Sequence, residues 1–180
     1  MARYTIKTIT GEKQKEELAR ALIRDLRAAD RRELKASAAP NGSVEDEVHG
    51  SMLLSDELFA AYNEQGALIA VWGYRKFDNS PGVLIWCLGT DRIRSFRRAF
   101  AVESRRILRD WANRYGMLYN AVGAFNDAAI SWLIFCGATF HEEMMIGGER
   151  FIPFTIEGEG GQYDVQCNGR AYRAGRLFSV

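Results

Sequence analysis

Six consecutive apolar residues, Val83-Leu84-Ile85-Trp86-Cys87-Leu88, constrain the fold of this chain more than any other stretch. A strand with one wet face alternates apolar and polar side chains, so a run apolar at every position belongs inside a sheet covered on both faces. Turn-forming residues bound the run, Asp78-Asn79-Ser80-Pro81-Gly82 before it and Gly89-Thr90-Asp91 after it. Helices on both faces of a sheet need a sizeable core. A chain of 180 residues is long enough for one domain, burying about 70% of the surface its unfolded form exposes.

The segments around this strand give the order of elements. Arg3 to Thr10 alternates around Tyr4, Ile6 and Ile9 and reads as a strand. Thr10 stands as the N-cap of a helix in which Leu18, Leu22, Leu26 and Ala29 recur at helical spacing. Arg20, Arg24, Arg27 and Arg31 are expected to point outward, and Pro40-Asn41-Gly42 ends the segment. Ser43 with Glu45, Asp46 and Glu47 has the acidic first turn of a second helix carrying Val48 and Met52. Leu58 to Tyr62 and Ala67 to Tyr74 flank the polar loop Asn63-Glu64-Gln65-Gly66 as a hairpin.

After the central strand, a long helix is expected over Ser95 to Tyr115. Its buried stripe would be Phe96, Phe100, Ile107, Trp111 and Tyr115, with Gly116 stopping it. Met117 to Gly123 is a further strand, and Asn126 or Asp127 caps a short helix through Phe135. Thr139 to Ile146 and Arg150 to Ile156 form a last hairpin around Gly147-Gly148-Glu149. The run of three strands before the long helix excludes a simple doubly wound sheet and favours a mixed, mostly antiparallel one. The expected division is a domain over 1–156 and an extension over 157–180. That extension holds the Gly-rich joint Glu157-Gly158-Glu159-Gly160-Gly161 and a hairpin turning at Asn168-Gly169.

Composition narrows the function classes. A net charge of +1, with 26% charged and 47% hydrophobic residues, disfavours disorder and a whole-molecule polyanion-binding role. No apolar run approaches the roughly 20 residues that span a bilayer, and the polar N-terminus does not read as a secretory signal. Cys87, Cys136 and Cys167 are too far apart for a metal cluster and read as reduced hydrophobes; no metal is expected.

The segment Ala124 to Glu143, AFNDAAISWLIFCGATFHEE, carries the most specific pattern. Asn126, Ala129, Gly137 and Ala138 stand at the spacing of the helix and turn found in the GNAT acetyltransferase superfamily, which the chain resembles. Asn126 would cap that helix beside the cofactor, and Gly137 would turn the chain back into the sheet. The run Gly137-Ala138-Thr139-Phe140-His141-Glu142-Glu143 is more similar still to a head-assembly or internal-virion protein family of short-tailed phages with a GNAT-like fold. The resemblance covers roughly Tyr62 to Ile156. It implies an α/β fold with a mostly antiparallel sheet flanked by helices.

Two departures from the acetyltransferase pattern bear on chemistry. Leu133 stands where many such enzymes place a Tyr to protonate the leaving thiolate, and leucine has no proton to give. The loop after the central strand reads Gly89-Thr90-Asp91-Arg92-Ile93-Arg94-Ser95-Phe96-Arg97-Arg98, without the glycines that let backbone N–H groups close on a pyrophosphate. The resemblance therefore implies a virion-associated scaffold, located in the virion or host cytoplasm, with no cofactor expected. Its partners would be other phage structural proteins, met through the tail and the arginine-rich helix, with a homo-oligomer also in view. The alternative is an acyl-CoA-dependent N-acyltransferase. Acetyl-CoA would then lie along Leu88, Gly89, Arg92, Arg94, Ser95, Arg97 and Asn126.

Eight arginines lie between Arg92 and Arg114, against Asp91, Glu103 and Asp110. They form a solvated helix face, a phosphate grip near Arg92, Arg94, Arg97 and Arg98, or a surface for an acidic partner or packaged nucleic acid. Aromatic residues do not interleave with them, so sequence-specific nucleic-acid reading is not expected. His141 beside Glu142 and Glu143 is either a base or a sheet-edge residue.

Overall fold

A computed structural model describes residues 4–159 of the chain. Its elements run β1 (Tyr4–Thr8), α1 (Glu12–Asp25), α2 (Ala28–Ser37), α3 (Val44–Leu53), β2 (Glu57–Asn63), β3 (Leu68–Lys76) and β4 (Val83–Gly89). There follow α4 (Ile93–Tyr115), β5 (Met117–Gly123), α5 (Asp127–Cys136), β6 (Thr139–Phe140), β7 (Met144–Ile146) and β8 (Glu149–Glu157). The sheet order is β1-β2-β3-β4-β5-β8-β6, with β7 also on β8. All pairings are antiparallel except β4 with β5. The expected mixed, mostly antiparallel sheet is the one observed. The predicted tail hairpin at Asn168-Gly169 lies outside the described residues.

The apolar run of β4 sits at the centre of the sheet, as its composition requires, and its alternate side chains feed two cores. Val83 and Ile85 join Trp72, Phe100, Leu108, Trp111, Leu118 and Leu133 beneath α4 and α5. Leu88 and Trp86 join Leu18, Leu22, Val48 and Met52 beneath α1 and α3. Each face thus receives its own layer of helix, and only Trp86 and Cys87 of β4 are less than fully buried.

Four local expectations shift. The cap of α1 is Gly11 and not Thr10, with Gly11 N–H donating to Gln14 Oε1 at 3.4 Å. The first helical stretch is two helices, since Leu26 bridges to Thr90 and Arg27 N–H donates to Gly89 O at 3.0 Å. Backbone groups spent on the end of β4 cannot continue a helix. Arg27, expected to face outward, turns inward onto the buried Asp30. The buried stripe of α4 is Phe100, Ser104, Leu108, Trp111 and Ala112, while Phe96, Ile107 and Tyr115 lie half-buried at its margins.

The last hairpin keeps its turn, but its first strand breaks into β6 and β7 at His141–Glu143. Its tip folds onto α2. Gly147, at φ +53°, lies so close to the Ala36 carbonyl that a Cβ could not fit, and Arg32 makes a two-pronged pair with Glu149 at 2.8 and 2.7 Å.

Candidate functional site

The parallel strands β4 and β5 pair only at Val83↔Leu118 and Leu84↔Tyr119. Beyond these positions β4 keeps its ladder to β3, and β5 keeps its ladder to β8. Neither can follow the other, so the sheet opens into a V. Such a gap exposes two rows of backbone donors and acceptors that need partners.

Side chains supply several of them. At the vertex, Asn120 Nδ2 donates to the Ile85 carbonyl, and Asn120 Oδ1 accepts from Ala121 N–H at 2.7 Å. At the wide end of β4, Gly89 N–H donates to Asp30 Oδ2 at 2.7 Å while Gly89 O accepts from Arg27 N–H. At the wide end of β5, Gly123 N–H donates to Glu33 Oε1 at 2.8 Å. Strand alternation puts the Cys87 peptide on the same edge of β4, between the Ile85 and Gly89 closures.

Helix α2 therefore laces both arms of the V with two carboxylates one turn apart. Asp30 is 1% exposed and is paired to Arg27, whose Nε donates at 3.0 Å. Glu33 Oε1 also accepts from Asn126 Nδ2 at 2.9 Å. Asn126 is itself buried, and its Oδ1 caps α5 by accepting from Ala129 N–H at 3.3 Å. Burial pushes Glu33 up to about 7, against the two hydrogen bonds that favour its charge. The Cys87 thiol is pushed up to about 12 by burial and by Asp30, so it stays protonated and is no nucleophile.

A cavity of about 1830 Å³ occupies the V, lined by both strand edges and by residues of α2, α4 and α5. Arg94, Arg97 and Arg98 line it together with Leu88, Asn126 and Glu33. Among the residues expected at a cofactor, Leu88, Arg94, Arg97 and Asn126 thus share one cavity. Leu88 turns its backbone to β3, opposite Val71. Gly89 has both backbone groups engaged by α1–α2. Arg92 points away, to Asp25 at 2.8 Å and the Leu68 carbonyl. Ser95 is exposed, and its N–H is spent on Arg92 O at 3.1 Å. The N–H groups of Ile93 and Arg94 are likewise spent on Thr90 O and Asp91 O. With these turn bonds made, guanidinium groups are what this rim presents to an anion.

His141 lies at the sheet edge, its N–H on Pro153 O and its Nε2 3.0 Å from Thr155 Oγ1. Among the described residues no group of three or more His, Cys, Asp or Glu side chains could hold a metal ion. No helix among them is long and apolar enough to cross a membrane.

Sequence reasoning missed Asp30, Glu33 and Asn120. Asp30 carried a usable signal, since it falls one turn from Leu26 and from Leu34, a charge on an apolar stripe. Glu33 and Asn120 carried none, because their partners are more than thirty residues away in the chain.

No family model matches the sequence, and no curated protein matches it either. Solved structures do resemble the fold. A putative acetyltransferase from Acinetobacter baylyi ADP1 superposes with a TM-score of 0.63 at 12% identity, covering 87% of this chain and 94% of that one. An N-acetyltransferase from Staphylococcus aureus Mu50 gives 0.58 at 17% identity, covering 87% and 98%. A spermidine N-acetyltransferase from Vibrio cholerae, in complex with CoA and spermine, gives 0.57 at 12% identity, covering 86% and 95%. The expected kinship with phage virion proteins finds no support among these structures. The likeness extends over nearly the whole described chain, and its fold is that of the GNAT acetyltransferases.

Proposed function

We propose that the chain is an acyl-CoA-dependent N-acyltransferase in which Glu33 accepts the proton of the attacking amine. The observation that supports this reading is the carboxyl of Glu33, raised to about 7 and held at the open end of the β4–β5 gap. A carboxylate poised near neutral pH is matched to general-base work.

The donor's phosphates would meet Arg94, Arg97 and Arg98 at the rim, and its amide-bearing arm would enter the V along the Cys87 peptide. The acceptor would approach on the α2 face. Its neutral amine attacks the thioester carbonyl carbon, the carbon–sulfur bond breaks, and the amine proton passes to Glu33. Leu133 can give the departing thiolate no proton, so that proton comes from water. A modest turnover follows from this loss.

Calorimetry with acetyl-CoA tests the reading. Binding that weakens tenfold or more in the double variant Arg94→Ala, Arg97→Ala supports it, and no heat at millimolar donor removes it. With an amine acceptor, the rate should rise with pH through about 7 and flatten in Glu33→Gln.

A second reading is a virion-associated scaffold without efficient catalysis; the engagement of both Gly89 backbone groups with Arg27 and Asp30 bears on the second half of it, since those groups are not free for a cofactor. Its contacts would run through the arginine-rich α4 and the C-terminal segment, to other phage proteins or to a second copy. Recovery of the protein from purified virions by mass spectrometry, with no acyl-CoA bound, would carry that reading instead.

A further inference from the structure

Both hydrogen bonds that Glu33 accepts fall on one oxygen. Gly123 N–H and Asn126 Nδ2 donate to Oε1 at 2.8 and 2.9 Å, and Oε2 has no hydrogen-bond partner among the described residues. Oε2 is nevertheless not sealed off. Among the described residues, the one fully buried side-chain nitrogen or oxygen without a partner is Trp132 Nε1. Oε2 therefore keeps access to the cavity that Glu33 lines. With Oε1 engaged by two donors, a proton arriving from the gap reaches Oε2.

Asn126 is the side chain behind this division. It is 3% exposed, and each end of its amide has a partner within the protein. Its Oδ1 accepts Ala129 N–H at 3.3 Å in the first turn of α5, while Nδ2 reaches Glu33. That donation matters because the other influences on Glu33 conflict. Burial and the nearby carboxylate of Asp30 favour the protonated acid, whereas the two donors and Arg27, itself paired to Asp30, favour the ion. Arg32 on the same helix is turned to Glu149 and to the ring of Phe125. The Cys87 thiol on β4 stays protonated, and Asp127 beside Asn126 is exposed. Of the two donors only Asn126 is a side chain, since Gly123 gives a peptide N–H.

We infer that Asn126 is the positioning residue of the base: it pins Oε1 so that Oε2 alone takes the proton of the attacking amine, acting through Glu33 and not on the donor. The inference rests on the reading of Glu33 as the base and names the group that keeps it ionisable near neutral pH. Without the Asn126 amide, burial would leave the carboxyl protonated over more of the working range, and a protonated carboxyl accepts nothing.

The test follows the Glu33 carboxyl ¹³C resonance against pH in the full, ligand-free chain. The pH–rate profile of acetyl transfer to n-butylamine is measured beside it, with acetyl-CoA affinity by calorimetry. Asn126→Ser keeps an oxygen that can cap α5 but loses the donor to Glu33. It should raise the Glu33 midpoint by about one pH unit, the equivalent of one hydrogen bond to a charged group. The rate profile should move to the alkaline side by the same amount, with acetyl-CoA affinity unchanged within about twofold. Asn126→Asp also keeps the cap, places a second carboxylate against Oε1 and should raise the midpoint further; it serves where the serine variant weakens the fold. A cap with no part in positioning would lower the thermal midpoint and leave the Glu33 titration where it is. An unmoved Glu33 midpoint, or an acetyl-CoA affinity about tenfold weaker in Asn126→Ser, would overturn the inference and leave the base reading to stand on the parent's own profile. A parent chain that transfers no acetyl group at any pH removes the base reading, and the inference with it.

Discussion

The Glu33 carboxyl, ordinarily near 4.5, holds its proton up to about 7 in the folded chain. The folded state therefore binds this proton more tightly than the unfolded one. Its contribution to stability is complete below about 4.5 and disappears as the pH climbs to about 7. Activity has the opposite slope, because the base works only when ionised. Glu33→Gln keeps an oxygen for Gly123 N–H and Asn126 Nδ2 but carries no charge. It should stabilise the chain at pH 8 by roughly 1–3 kcal/mol relative to the parent and leave the two alike near pH 4, as thermal melts at both pH values would show. Arg27 presents the reverse case. Removing it strands the carboxylate of Asp30, which is 1% exposed, and Arg27→Ala should cost about 3–5 kcal/mol in chemical denaturation. Arg27→Met with Asp30→Leu should recover only part of this, because Gly89 N–H loses its acceptor.

Among the elements, α2 has the most consequence for the site. Leu26 and Arg27 stop α1 by bonding to the end of β4, and the chain restarts as α2 across the mouth of the V. Nothing near Leu26 in the sequence announces that break, which has neither glycine nor proline. The tip of the β7–β8 hairpin presses on α2 at Ala36, where Gly147 is both at positive φ and without room for a Cβ. Gly147→Ala should therefore push the tip off α2 and destabilise the chain by about 1–3 kcal/mol, measured by urea unfolding. If Glu33 is the base, the same change should also lower the acyl-transfer rate, since α2 carries that carboxyl. The short helix α5 shows the contrary situation. Its Asn126 cap and its Gly137 terminator, at φ +90° with Ala138 N–H donating to Leu133 O, were both legible as local chemistry.

Across the described residues, 4–159, the sheet separates two helical layers, each with its own core. The two cores meet only through the sheet. Disturbing the Leu18–Leu22–Met52 side should therefore alter α2 and the acceptor face before it alters the core beneath α4. By itself the sequence determined the order of elements apart from the breaks at Leu26 and at His141–Glu143, the central place of Val83–Leu88, the cap and terminator of α5 and the lack of a proton donor at Leu133. These depend on periodicity, turn chemistry and residue type, which act over a few neighbours. Only the tertiary structure decided that β4 and β5 part after two paired positions, that Asp30 and Glu33 tie the open ends, and that Asn120 closes the vertex. Those outcomes depend on groups brought together across 35 to 93 positions of the chain, and on burial that raises one carboxyl to about 7. Local pattern carries no record of either.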